Sequence, residues 1–263
     1  MESTSALKSV IVEKEGTVAT VSLNRPESLN ALNKEMLQDL NRELKALSLE
    51  EDITIVILKG NGRGFCSGGD IKAMFDLGNE KDFYSIMDCI NELAMSIYTL
   101  PKLTISAVHG AAAGLGFSLA LATDCIIAEK ESKFAMNFIG IGLIPDGGGH
   151  FFLERRLGEL KAQEMIWDGK VMNAVEAQKM GLIDIVAEDH LEKAVQEKVS
   201  EWKTKPVQAM IRTKKILAES KRPQLLKMLE LEKCSQFVMK QTEDHLEGIR
   251  AFVEKRKPEF KGK

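Results

Sequence analysis

The chain is poor in the features that would tie it to a metal, a membrane or a nucleic acid. Its four cysteines (Cys66, Cys89, Cys125, Cys234) stand far apart, with no CxxC pair and no metal-ligand spacing. That pattern fits reduced thiols packed in a cytosolic protein rather than a disulfide frame. Basic residues are not in excess: net charge is −3 and the pI near 5.9, which gives no global attraction to nucleic acid or anionic lipid. The opening Met1-Glu2-Ser3-Thr4-Ser5 carries neither a basic n-region nor an apolar core, so no secretory leader is expected. The closing Lys261-Gly262-Lys263 is no peroxisomal signal, and a cytoplasmic protein is expected. The stretch from Gly110 to Ala128 nears membrane-span length, but Asp124 and the small residues near its start favour a buried helix followed by a buried strand.

The sequence instead offers two glycine-bearing strand-to-helix turns roughly 46 residues apart. In the first, Val56-Ile57-Leu58-Lys59-Gly60 leads through a loop to Phe65-Cys66-Ser67-Gly68-Gly69-Asp70-Ile71-Lys72. In the second, Ile105-Ser106-Ala107-Val108-His109-Gly110 leads to Ala113-Gly114-Leu115-Gly116-Phe117-Ser118. Each reads as a buried strand, a turn of small residues and a helix start. Such a turn leaves a backbone N–H unsatisfied and lets a ligand approach the main chain. Two N–H groups aimed at one point stabilise an oxygen taking on negative charge. Either turn alone is equally well read as plain chain reversal.

Residues 8–23 alternate around Glu15-Gly16 as a hairpin, and a helix near Asn33 carries the stripe Met36, Leu37, Leu40, Leu44 and Leu47. Strands at 53–58, 103–108 and 125–129 alternate with helices at 82–100 and 115–123, predicting a largely parallel sheet with right-handed crossovers. Beyond Pro145 the pattern is helical: 148–157, 159–168, 173–180, 190–203, 206–220, 223–242 and 243–256, with one strand at 182–186. No low-complexity linker separates the parts. The expected division is a core over 1–195 and a helical region over 196–263, whose surplus apolar faces point to contacts between subunits.

The segments Asn24-Arg25-Pro26…Leu29-Asn30-Ala31-Leu32, Gly64–Lys72, His109–Asp124, Gly142–Gly149 and Phe252–Lys257 resemble, in order over about residues 8–260, the enoyl-CoA hydratase/isomerase (crotonase) superfamily. The resemblance implies an α/β fold, a crotonase-like spiral of ββα units with a C-terminal helical trimerisation lobe. It also implies a homo-oligomer, trimer or dimer of trimers, acting on acyl-CoA thioesters. It places the two oxyanion N–H groups on Gly69 and Leu115, within the turns carrying Gly68 and Gly114. Asp70, Ile71 and Lys72 would line the coenzyme A channel, and Leu29 and Ala31 would sit near pantetheine and adenine. Phe252 and Lys255 match positions that reach the coenzyme A of a neighbouring subunit.

The two glutamates that the family's hydratases use fall on Ser118 and Phe138, neither of which can serve as a carboxylate base. A carboxylate does occur at Asp146. There the surroundings resemble ring-epoxide phenylacetyl-CoA and enoyl-CoA isomerases, with His150 where a threonine is common. The resemblance therefore implies an enoyl-CoA isomerase with Asp146 as proton shuttle, in fatty-acid or phenylacetate metabolism, with coenzyme A arriving on the substrate and no metal or other cofactor. The alternatives are a hydratase with unusual water activation or a non-catalytic acyl-CoA- or RNA-binding relative.

Blander readings stand beside these. Asp146 can be only the N-cap of the helix that follows. Lys72 and the Lys255-Arg256-Lys257 run can be solvated surface, and Cys66 a packed thiol. His150 can adjust Asp146, and His190 and His245 read as surface residues.

Overall fold

The computed structural model describes residues 8–70 and 79–263; Ile71 and Lys72 lie outside them. The chain opens with an antiparallel hairpin, β1 (Val10–Glu15) and β2 (Val18–Leu23), in register from Val10 opposite Leu23 to Glu15 opposite Val18. β3 (Ile55–Gly60), β4 (Leu103–Val108), β6 (Cys125–Glu129) and β9 (Ile185–Ala187) then add in parallel, giving one sheet of order β1-β2-β3-β4-β6-β9. Its middle strands are apolar without alternation because both faces are covered: every residue of β4 is buried.

A second, smaller sheet holds β5 (Ala111–Ala113), β7 (Lys133–Ala135) and β8 (Val171–Asn173). These three-residue strands escape sequence reading because they are too short to show a period. They nonetheless explain the spiral. The path through β4 runs on into β5 and then α3 (Leu115–Leu121), and the path through β6 runs on into β7. Parallel bridges pairing Leu32 with Gly69 and Cys66 with Ala112 extend the same layer. Successive chain turns thus stack side by side, which brings residues 66–69 alongside 112–115.

Helices close both faces. α1 (Lys34–Leu49) is capped by the Asn33 side chain, which accepts the Met36 N–H, and its expected stripe is buried. With α2 (Glu80–Thr99) and α3 it forms the main core against one face of the large sheet. The other face packs Ile55, Ile57, Ile105 and Ile127 against Leu191, Val195, Val199 and Trp202 of α7 (Leu191–Lys203). Between α3 and α7 in the chain come α4 (Gly149–Leu157), α5 (Glu159–Asp168) and α6 (Ala174–Met180), whose buried residues join the main core.

One expectation fails outright. The expected break between residues 220 and 223 is absent, and α8 runs unbroken from Val207 to Lys240 with Pro223 inside it. Proline frees the carbonyl four residues back and normally costs about 3 kcal/mol in a helix interior. Residues 219–224 are all exposed, so water can satisfy that carbonyl, while Ala218, Leu225 and Leu229 anchor the helix on either side. α9 (Glu243–Glu254) then folds back on residues 137–141 of the same chain. His245 is buried there, not on the surface: its Nδ1 lies 2.8 Å from the Ile141 carbonyl, and burial pushes its pKa down.

Candidate active site

The two turns meet. Ala113 donates its N–H to the Cys66 carbonyl (3.0 Å), and Cys66 donates to that of Ala111 (2.9 Å). Gly68 lies at φ +106 and Gly114 at +50, conformations that side chains rarely adopt. A β-carbon on Gly68 would stand 2.9 Å from the Ala113 carbonyl oxygen and 3.6 Å from the Leu115 nitrogen, so the main chains touch only because both turns are bare. Among the described residues, neither the Gly69 N–H nor the Leu115 N–H has a protein acceptor. Leu115 is the first residue of α3, where an N–H is orphaned by geometry. Two such donors in one wall can stabilise an oxyanion.

Both residues border a cavity of about 210 Å³, together with Gly68, Asp70, Gly114, Phe138, Asp146 and Phe252. Most of the remaining wall is apolar: Leu37, Ile86, Ile90, Ile141 and Leu143. Leu29 and Ala31, expected near the pantetheine and adenine of coenzyme A, are not among the residues that line this cavity. Leu29 accepts the Ser67 N–H at 3.0 Å, and Ala31 accepts from Arg25, whose Nη1 also reaches Asp70 Oδ2 at 3.1 Å. These bonds tie the loop to the first turn. Lys255 ends α9 in the left-handed conformation and does not line the cavity. Phe252 borders the cavity within its own chain and is also largely exposed.

Asp146 is 4% exposed. Gln236 Nε2 donates to its Oδ2 at 3.3 Å, while Oδ1 has no partner among the described residues. Burial pushes its pKa up to about 7, and the nearby Glu232 carboxylate adds to the rise. The capping alternative is excluded by geometry. The cap of α4 is Gly148, without a side-chain bond, and the orphan N–H groups of Gly148 and His150 donate to Glu232 at 2.8 and 3.1 Å. Asp146 is therefore a buried carboxyl with a free oxygen at a cavity wall, and an acid with a pKa near neutrality is suited to moving protons.

Of the two positions that resemble the hydratase glutamates, Phe138 lines the cavity and Ser118 does not. Ser118 is fully buried, its Oγ 3.9 Å from Met136 Sδ. The Cys66 thiol is sealed in the core and pushed up to about 12 by burial, so packing is its role.

Glu232 and Gln236 escaped sequence reading. Both lie on α8, on the stripe Leu225, Leu229, Glu232, Gln236, which is buried throughout. Two polar residues on an apolar helical face were the available signal.

A family model described as enoyl-CoA hydratase/isomerase matches residues 13–263. YhaR of Bacillus subtilis (strain 168), a protein named for the enoyl-CoA hydratase/isomerases, is 45% identical over 93% of this chain and 96% of its own. The 1,2-epoxyphenylacetyl-CoA isomerase of Escherichia coli (strain K12) is 35% identical over 97% of this chain and 98% of its own. Among solved structures, an enoyl-CoA hydratase from Mycobacterium avium subsp. paratuberculosis K-10 superposes with a TM-score of 0.87 at 30% identity, covering 96% of this chain and 98% of that one.

Proposed function

The chain belongs to the enoyl-CoA hydratase/isomerase family, and within that family of acyl-CoA enzymes we propose that it shifts a double bond by way of a thioester enolate. The thioester oxygen sits between the N–H groups of Gly69 and Leu115. Asp146, as carboxylate, removes a proton from the carbon next to the thioester or from its vinylogous position. The electrons flow onto the oxygen, and the protonated Asp146 returns the proton to the other carbon. Nothing is added or lost, and one carboxylate suffices. Coenzyme A is part of the substrate, and the chemistry calls for no metal or redox group.

The observation that carries this reading is the position of Asp146: a buried carboxyl with a free oxygen at the cavity that the two turns border, while the hydratase positions hold Ser118 and Phe138. Hydration is the second reading, supported by the solved relative's name and by the second carboxylate, Glu232. Glu232 is already occupied by three donors and is not in the cavity wall, which favours isomerisation. Incubation with 3-enoyl-, 2-enoyl- and ring-epoxide-CoA substrates, followed by mass spectrometry, decides between them. Products of unchanged mass support the proposal, and 3-hydroxyacyl-CoA as the main product overturns it.

Because Asp146 must start ionised, turnover is expected to fall as pH drops through about 7, approaching tenfold per pH unit well below it. A pH–rate profile flat down to pH 5 would contradict this.

The oligomer is part of the same proposal. Ile216, Leu217, Leu226, Leu231 and Val238 leave α8 with apolar side chains in solvent, and Leu246, Phe252 and Val253 do the same on α9. Light scattering is expected to give the mass of a trimer or a dimer of trimers; a monomer at all concentrations would exclude it. Among the described residues no helix is long and apolar enough to cross a membrane.

A further inference from the structure

Behind Asp146 stands a buried constellation that the proton shuttle does not itself use. The Glu232 side chain is 1% exposed, yet it carries a carboxylate into the core. It accepts from the Gly148 N–H at 2.8 Å, from the His150 N–H at 3.1 Å, and from His150 Nδ1 at 2.8 Å. One helical turn further along α8, Gln236 holds the Asp146 carboxyl itself. A buried carboxylate is costly unless its oxygens are well bonded, and here three donors converge from the segment that follows Asp146. The imidazole of His150 is partly exposed, while the Glu232 carboxylate it meets is buried.

We propose that Glu232 is a positioning residue for the reaction: with His150 it clamps the Asp146–His150 segment onto α8 and holds a second carboxylate beside the base. This rests on the reading of Asp146 as the proton carrier.

Two consequences follow from the geometry. The clamp fixes where Asp146 stands relative to the cavity, because residues 146–150 and Gln236 are tied to the same helix. The negative charge of Glu232 also resists ionisation of Asp146, reinforcing the rise that burial causes. Two ionisable groups on the neighbouring helices have partners of their own. On α8, Lys233 pairs with Glu230 and with Asp88 of α2; on α9, His245 binds the Ile141 carbonyl. Tyr84 of α2 stacks on Phe237, and among the described residues Cys89 and Glu92 of α2 and Glu154 and Arg155 of α4 make no hydrogen bond to Asp146 or Glu232. Residues 137–145 contain no ionisable side chain, and neither does α3.

The test is the pH profile of substrate C–H exchange in deuterated water, read for the parent, Asp146→Asn and Glu232→Gln. Glu232→Gln keeps an acceptor oxygen but removes the charge, so the acid limb is expected to move down by roughly one pH unit. A loss of stability alone would lower the amplitude and leave the limb in place. If Asp146→Asn abolishes exchange while the limb of Glu232→Gln matches the parent's, the base stands and the role of Glu232 falls. If Asp146→Asn exchanges like the parent, the reading of the base falls first. Should Glu232→Gln fail to fold, His150 decides. His150→Asn places an N–H donor near the Nδ1 site and is expected to retain at least several-fold more kcat than His150→Leu, with KM little changed. Equal activity in these two variants would overturn the clamp.

Discussion

Asp146→Asn is expected to leave the fold and the affinity for coenzyme A in place while lowering turnover by roughly 10²–10⁴, the range for loss of a general base. Asparagine matches aspartate in size and keeps an oxygen for the Gln236 amide, but it cannot take up a proton. The cap of α4 is unaffected, since Glu232 and not Asp146 receives the orphan N–H groups there. A second result follows from linkage. The Asp146 pKa is about 7 in the folded chain against 3.8 for the unperturbed group. Between those values the folded state binds more protons than the unfolded one, so this residue's contribution to stability falls as pH rises from 4 to 7. Replacing it relieves a cost that reaches a few kcal/mol above pH 7. The variant's Tm is therefore expected to exceed the parent's at pH 8 and to lose that advantage toward pH 4. A less active but more stable protein is what a buried base predicts. Near-parental turnover in a folded Asp146→Asn variant would reduce Asp146 to a structural residue.

Gly68→Ala is expected to lower turnover by about 10²-fold in a chain that is destabilised but still folds, as misplacement of a reacting geometry by about 1 Å does. At φ +106 an alanine is strained, at a cost on the order of 1–3 kcal/mol. Its methyl would meet the Ala113 carbonyl oxygen at 2.9 Å, which is backbone and cannot rotate away. The turn must shift, and the Gly69 N–H shifts with it relative to that of Leu115. Measured kcat with saturating substrate, alongside a thermal melt, separates the two effects. A folded variant with parental kcat would mean that the spacing of the two turns does not serve the reaction.

The parts of the site that arise locally were readable in the sequence. The two turns announce themselves because only small residues can occupy backbone that touches backbone, and their glycines stand beside apolar strand runs. Asp146 was visible as a carboxylate in a glycine-rich segment, though its environment was not. The alternative of a capping role was open until the fold brought Glu232 to that helix end. Glu232, Gln236 and His245 could not be placed from local pattern, because each acts on a segment about 80 or more residues away in the chain. Helical periodicity predicted most elements, and it failed where a general rule met a local exception. A proline breaks a helix most readily where the carbonyl it frees is buried, and around Pro223 residues 219–224 are all exposed. The strands β5, β7 and β8 gain their stability from stacking between chain turns, a contact that three residues cannot advertise.

Weighing the product formed from a 3-enoyl-CoA in deuterated water, with the parent and with Asp146→Asn side by side, is the most direct trial of a one-carboxylate proton shuttle. The parent is expected to give a conjugated 2-enoyl-CoA with no water added, carrying deuterium at carbon to the extent that Asp146 exchanges its proton with solvent. The variant is expected to return the substrate unlabelled and unshifted. A parent product heavier by one molecule of water, or equal isomerisation by both proteins, would contradict it.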